Sequence, residues 1–271
     1  MLPSEAEAQM KGGNSDVHAM SDDYVAPTDP LVLQKLEDFR DRKFGIFFHW
    51  GLYSVPGISE SWPLCKEDRF TARREASAPR RGMTYEEYKK WYWGLADVFN
   101  PTDFDPREWA RLMEDAGFRY MVFTTKHHDG FCMFDSGLTD FNVAKGPYGK
   151  DITRQMFDAF RDRGFMIGCY FSKPDWHSPY FWIPGEDTPT RHPNYDVAER
   201  PELLRKFAEF THGQIVDELM SGYGKIDILW LDGGWVRKGK TDIGIDSIVD
   251  HARAKQPGLI AVDRTIHGRN E

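Results

Sequence analysis

Apolar residues fall along this chain in two alternating rhythms. Short, nearly continuous runs (FGIFFHWG, YMVFTTK, MIGCYFS, IDILWLD and LIAVDR) are separated by stretches in which apolar positions recur every three or four residues. The runs predict strands buried on both faces, and the stretches between them predict amphipathic helices. From Pro30 a short helix carrying Leu31, Leu33, Leu36 and Phe39 leads into the first run. Asp105 is a predicted N-cap with Pro106 at the first helical position and Glu108 completing a capping box. Trp109, Leu112, Met113 and Ala116 then fall at i, i+3, i+4 and i+7, and Gly117 ends the helix. Further helices are predicted over 151–163, stopped by Gly164, over about 201–220, and around 245–254. Residues 1–28 are polar and without period, as in a flexible tail, so that 29–271 is the predicted domain.

Five strands alternating with helices predict an α/β fold with a parallel sheet. No G-x-G-x-x-G opens the helix after the first strand and no G-x-x-x-x-G-K-[ST] occurs, which disfavours a nucleotide-binding open sheet. The polar residues favour a (β/α) TIM-type barrel. His49 and Trp50, Lys126 to Asp129, Ser172 to His177, Asp232 and Arg264 all stand at or just beyond the C-terminal ends of successive strands, where such barrels keep their active sites. Closing eight strands needs about three more βα units than this chain provides, so the barrel is expected to be incomplete at its C-terminus. The connections over 52–104 and 173–199 are long enough to be functional, and they carry Trp62, Trp91, Trp93, Trp176 and Trp182 as material for cleft walls.

Composition narrows the function classes. The hydrophobic fraction of 40% supports a sizeable core, and no run approaches the roughly 18 apolar residues of a membrane helix. A net charge of −8 disfavours nucleic-acid binding; the cluster Arg69, Arg73, Arg74, Arg80 and Arg81 reads as a solvated face. Three cysteines, Cys65, Cys132 and Cys169, lack C-x-x-C spacing and predict neither a disulfide framework nor a zinc site. The first residues have no basic region followed by an apolar core, so no leader is visible and the compartment stays open. Nine tryptophans are compatible with sugar stacking but also with a large core.

Asp232 is the first chemical candidate. A carboxylate at an apolar strand mouth, followed by two glycines, is placed to attack or to stabilise a cation; it could equally cap the next element. His127, His128 and Asp129 stand together after YMVFTTK. Adjacent strand residues point to opposite faces, and neither H-x-H nor H-E-x-x-H spacing occurs, so metal ligation is disfavoured. Hydrogen bonding to substrate hydroxyls fits His49, His127 and His128 better, with bonding to backbone the alternative for each.

FGIFFHWGLYSVPG, FNPTDFDPREWARLMEDAGFRYMVFTTKHHDGFCMFDS, GCYFSKPDWH, IDILWLDGGW and AVDRTIHG, in that order, closely resemble the retaining α-L-fucosidases of glycoside hydrolase family 29. The block containing KHHDGF is the most specific of them. The resemblance runs from about residue 40 to the end. It implies that Asp232 is the nucleophile, and that His49, His127, His128, Trp230 and Arg264 line the sugar subsite. Tyr170, in YFS where many relatives have YYS, matches a tyrosine beside the nucleophile. Glu60 and Trp62 match a Glu-Trp pair that is adjacent in many relatives and is split here by Ser61. The implied mechanism is double displacement with retained configuration, acting on a fucosylated oligosaccharide or glycoconjugate without metal or organic cofactor, and with no nucleic-acid or membrane partner. The second carboxyl belongs on a loop after the strand bearing Arg264. Glu271 is the one glutamate after Asp232 and hence a candidate, although relatives more often place the acid farther along, which puts it beyond the end of this chain. Asp129, Asp175 and Glu60 are the reserves. A sugar-binding pseudoenzyme, a catalytically incomplete fragment and an α-L-galactose-specific relative are the alternatives.

Overall fold

The computed structural model describes residues 25–66, 82–188 and 190–263. Most of the expected tail, the arginine cluster, Arg264 and Glu271 lie outside those residues. The five predicted strands form: β1 (Gly45–Phe48), β2 (Tyr120–Lys126), β3 (Met166–Ser172), β4 (Ile228–Asp232) and β5 (Ile260–Asp263). They pair in parallel in the order β1-β2-β3-β4-β5. A doubly wound sheet reverses strand order at a switch point, whereas an order that only advances is the winding of a (β/α) barrel.

Register divides the sheet into two faces. Ile46, Phe48, Met121, Phe123, Ile167, Cys169, Leu229, Leu231 and Ala261 face the helical layer in one large core. The alternate positions Phe47, Val122, Ile228, Trp230, Ile260 and Val262 line a pocket of about 330 Å3 on the other face. Gly168 lies between them in register with Val122 and Ile228. A Cβ there would stand 2.7 Å from the Met121 carbonyl oxygen, so the close approach of β2 and β3 requires glycine.

Helix α1 (Pro30–Arg42) is capped by the Asp29 side chain, which accepts from the Leu31 amide at 2.8 Å. Its inward stripe differs from the predicted one. Val32 is buried and Leu36 and Phe39 pack against Met166, Ile228 and Ile260, while Leu31 and Leu33 are exposed. Positions 32, 36 and 39 follow i, i+4, i+7 at about 100° per residue; 31 and 33 flank that face. Lys35 ties the helix to buried Asp227 at 2.5 Å.

The long connection after β1 is not all loop, because it contains α2 (Tyr85–Trp93) with a complete capping box between Thr84 and Glu87. In α3 (Pro106–Asp115) the predicted box is only half formed. Asp105 accepts from the amides of Arg107 and Glu108, but the Glu108 carboxylate is taken by Arg111 at 2.7 and 2.9 Å. Leu112 and Ala116 are exposed, and Ala110 is buried beside the half-buried Trp109 and Met113. Helix α4 (Ile152–Arg161) follows β2, and α6 (Ile245–Lys255) follows β4. Between β3 and β4 the predicted helix over 201–220 divides into α5 (Pro201–His212), a π-helical segment over Gly213–Leu219, and a final turn over Met220–Gly222. The π-helical segment carries Gln214, whose amide reaches buried Lys126 Nζ at 3.1 Å and Cys132 Sγ at 3.3 Å.

Candidate active site

The C-terminal ends of β1 to β4 bring one set of polar and aromatic side chains together. Asp232 ends β4 with its side chain 13% exposed. Its Oδ2 accepts from the Tyr170 hydroxyl at 2.7 Å, and its Oδ1 accepts from the Gly233 amide at 2.8 Å. Gly233 holds φ +90, and a Cβ there would stand 2.3 Å from Pro174 Cδ, so the turn behind the carboxylate has no room for a side chain. Burial, and then the Asp232 charge, push the Tyr170 phenol well above its ordinary range, so the hydroxyl keeps its proton and serves Asp232 as a donor.

Three imidazoles lie near the Tyr170–Asp232 pair. His128 Nε2 lies 3.9 Å from Asp232 Oδ2, and His128 Nδ1 meets Ser172 Oγ at 2.5 Å. His49 Nδ1 meets Thr124 Oγ1 at 2.9 Å, and its ring lies 4.9 Å from that of Tyr170. His127 is buried, bonds Ser61 Oγ at 2.5 Å through Nδ1 and stacks parallel to Tyr170 at 6.0 Å. Burial, then the neighbouring His128 and His49, lower its pKa well below the usual imidazole value, so His127 is neutral near pH 7.

The loop after β1 addresses all three rings with consecutive residues. Glu60 Oε1 lies 3.9 Å from His49 Nε2, Ser61 bonds His127, and the Trp62 ring stands 4.8 Å from His128. Glu60 adopts φ +57, a left-handed conformation that a non-glycine residue adopts at some cost, and it lies where the chain fans out toward the three histidines. Trp176 and Trp235 pack on Trp62 at 5.6 and 5.5 Å and both donate their indole N–H to the Arg191 carbonyl, which forms an aromatic wall. Trp230 meets Phe47 edge-on at 5.4 Å on the inner face.

The structure therefore brings together His49, Glu60, Trp62, His127, His128, Tyr170, Trp230 and Asp232. Thr124 and the contact of Ser61 with His127 were not foreseen from the sequence, and Ser172 was placed at a strand end without a role. Only the placement of Thr124 and Ser172 near strand ends could have pointed to them, since their partners are distant in sequence.

Two reserve carboxylates have other work. Asp175 Oδ2 pairs with buried Lys126 at 2.9 Å, and its Oδ1 accepts from the amides of His177 and Ser178. Asp129 is buried, and that burial pushes its carboxyl up to about 6, a value that would suit a general acid. Its oxygens, however, take the Tyr92 hydroxyl at 2.7 Å and the Phe131 amide at 3.1 Å. The raised pKa implies a stability signature. Between the unfolded value of about 3.9 and the folded value, the native state holds a proton that the unfolded state has released, so stability falls as pH rises through that window. Chemical denaturation of the wild type and Asp129→Asn from pH 4 to 7 should show the wild type losing about 3 kcal/mol relative to the variant. A pH-independent difference would contradict this assignment.

Among the described residues, no cluster of three or more His, Cys, Asp or Glu is arranged to hold a metal ion, and no helix is long and apolar enough to cross a membrane.

The chain matches the family model described as α-L-fucosidase over residues 13–271. The tissue α-L-fucosidase of Mus musculus is 30% identical over 203 residues, which cover 73% of this chain and 40% of the mouse protein. The structure of α-L-fucosidase isoenzyme 1 from Paenibacillus thiaminolyticus superposes with a TM-score of 0.65 at 33% identity, over 85% of this chain and 50% of that one. A family 29 α-L-fucosidase from Bacteroides thetaiotaomicron, solved as a trapped covalent intermediate with 2-fluoro-fucosyl fluoride, superposes at 0.64 with 29% identity, over 90% of this chain and 50% of that one. The chain thus spans half or less of the length of these relatives.

Proposed function

The chain belongs to the α-L-fucosidase family, and from that premise we propose that residues 29–271 form part of a catalytic barrel that hydrolyses terminal α-L-fucosides with retention of configuration. The observation that carries this reading is the seat of Asp232: a carboxylate at a strand end, fixed by one phenol and one backbone amide, inside a ring of imidazoles and tryptophans. Fixing both oxygens before substrate arrives lowers the reorganisation needed for attack.

In the first step an Asp232 oxygen forms a bond to the anomeric carbon while the glycosidic C–O bond breaks. The electron pair leaves with the aglycone oxygen, which takes a proton from a general acid. In the second step water, deprotonated by that same group, attacks the anomeric carbon and frees Asp232. His49, His127 and His128 bond sugar hydroxyls in this scheme, Trp62 and Trp230 border the ring, and Arg264 is assigned to the same subsite. The family resemblance assigns the acid to a loop after the strand bearing Arg264, where Glu271 is the candidate in this sequence; the reserves Asp175 and Asp129 are engaged by Lys126 and Tyr92. Glu60 borders the cleft through His49 and is the remaining reserve.

The stereochemistry of the first-formed product tests the mechanism. Proton NMR recorded within the first turnovers of an aryl α-L-fucoside should show α-L-fucose before mutarotation. Initial β-L-fucose would mean direct displacement by water and would remove Asp232 from the nucleophile's role. Sugar binding without any product would instead favour a carbohydrate-binding function.

A further inference from the structure

The rings of His49 and His128 are anchored in the same way on different strands. In both, Nδ1 meets a fully buried hydroxyl: Thr124 Oγ1 at 2.9 Å for His49, and Ser172 Oγ at 2.5 Å for His128. In both, that hydroxyl is also within hydrogen-bond distance of a main-chain carbonyl. Thr124 Oγ1 lies 2.8 Å from the Phe48 oxygen, and Ser172 Oγ lies 2.8 Å from the Pro174 oxygen. A hydroxyl has one proton, and a carbonyl oxygen can only accept. The proton of each hydroxyl is therefore spent on the carbonyl, and toward the imidazole each hydroxyl can only accept.

We propose that Thr124 and Ser172 are positioning residues that lock His49 and His128 in the Nδ1–H tautomer, so that Nε2 of each ring is a hydrogen-bond acceptor. The two Nε2 atoms lie 3.9 Å from Glu60 Oε1 and 3.9 Å from Asp232 Oδ2, so each of these ring nitrogens stands beside a carboxyl oxygen. The side of the cleft they form is thus built from acceptors, and it recognises ligand groups that donate hydrogen bonds, such as sugar hydroxyls. Ser172 has a further effect. By holding the imidazole proton on Nδ1 it keeps that proton away from Asp232, and an Nε2–H donated to the carboxylate would lower its nucleophilicity. The sugar-binding consequence rests on the fucoside reading; the tautomers themselves do not.

Nitrogen-15 NMR of the ligand-free chain with labelled histidine separates the two, because pyrrole-like and pyridine-like ring nitrogens have distinct shifts. At a pH of about 8, above the ordinary imidazole range, the signals of His49 and His128, assigned by single His→Asn replacements, should show Nδ1 protonated and Nε2 bare. Thr124→Val, which keeps the shape but removes the acceptor, should move His49 toward a mixture of tautomers, and Thr124→Ser should restore the wild-type spectrum. Ser172→Ala should do to His128 what Thr124→Val does to His49. The same Thr124 pair should weaken and then restore L-fucose affinity by about ten-fold, the scale of one hydrogen bond. Nε2–H or imidazolium shifts in the wild type, or shifts unchanged by Thr124→Val, would overturn the proposal. Correct tautomers with no measurable fucose binding would leave it standing and count against the fucoside reading alone.

Discussion

Asp232→Ala is expected to lower the hydrolysis of an aryl α-L-fucoside by about 10³-fold or more, the loss associated with removing a covalent nucleophile. A fall in rate alone would not identify the role, because Asp232 also anchors Tyr170 and the Gly233 turn. Added azide distinguishes the cases. In the space left by the carboxylate a small anion can attack the anomeric carbon directly, so the variant should regain part of its rate and release β-L-fucosyl azide. Near-normal hydrolysis by a folded variant would refute the nucleophile assignment. Loss of activity without azide rescue would point to a purely structural carboxylate.

The second large effect concerns stability, and it lies directly beneath the site. Lys126 and Asp175 form an ion pair at 2.9 Å with side chains 0% and 3% exposed. Lys126 also meets Gln214 Oε1 at 3.1 Å and lies 4.2 Å from the centre of the Phe171 ring. The pair joins the end of β2 to the loop after β3, and the Trp176 amide adds a bond to the His128 carbonyl at 2.8 Å. Lys126→Met removes the cation and leaves a buried carboxylate with only amide partners for its other oxygen. Such half-removals cost about 3–5 kcal/mol, and urea denaturation should show a loss of that size. The double variant Lys126→Met/Asp175→Asn removes the stranded charge and should recover much of the loss, which gives a coupling term typical of contacting residues. A single-variant loss below about 1 kcal/mol, the scale of an exposed pair, would show that the pair is hydrated.

The parts of this molecule that could be read from the sequence are those governed by local pattern. All five strands lie within the apolar runs, and Asp232 stands out because a charged residue ends one of them before two glycines. Helix α2 was also within reach. Thr84 and Glu87 have the spacing of a capping box, and Tyr88, Trp91, Tyr92 and Leu95 follow i, i+3, i+4, i+7, but the density of tryptophan in that connection reads as loop material. The break of the helix after β3 had no such local signal. The π-helical segment accommodates Gln214 against Lys126, a contact between residues 88 apart. The hydroxyls behind the histidines were hidden for the same reason: Thr124 and Ser172 are unremarkable strand residues until the fold brings His49 and His128 to them. The glutamate and tryptophan on either side of Ser61 suggested a displaced pair, whereas Ser61 itself fills the third place, against His127.

Covalent bonding of Asp232 to the sugar can be tested without depending on the general acid. Fluoride leaves with little protonation, and a fluorine at C2 slows breakdown of the ester by destabilising the cationic transition state. The chain incubated with 2-deoxy-2-fluoro-α-L-fucosyl fluoride should gain the mass of one fluorofucosyl unit, and peptide fragmentation should place it on Asp232. An unmodified chain under conditions where the sugar is bound, or an adduct on any other residue, would rule out Asp232 as the covalent nucleophile.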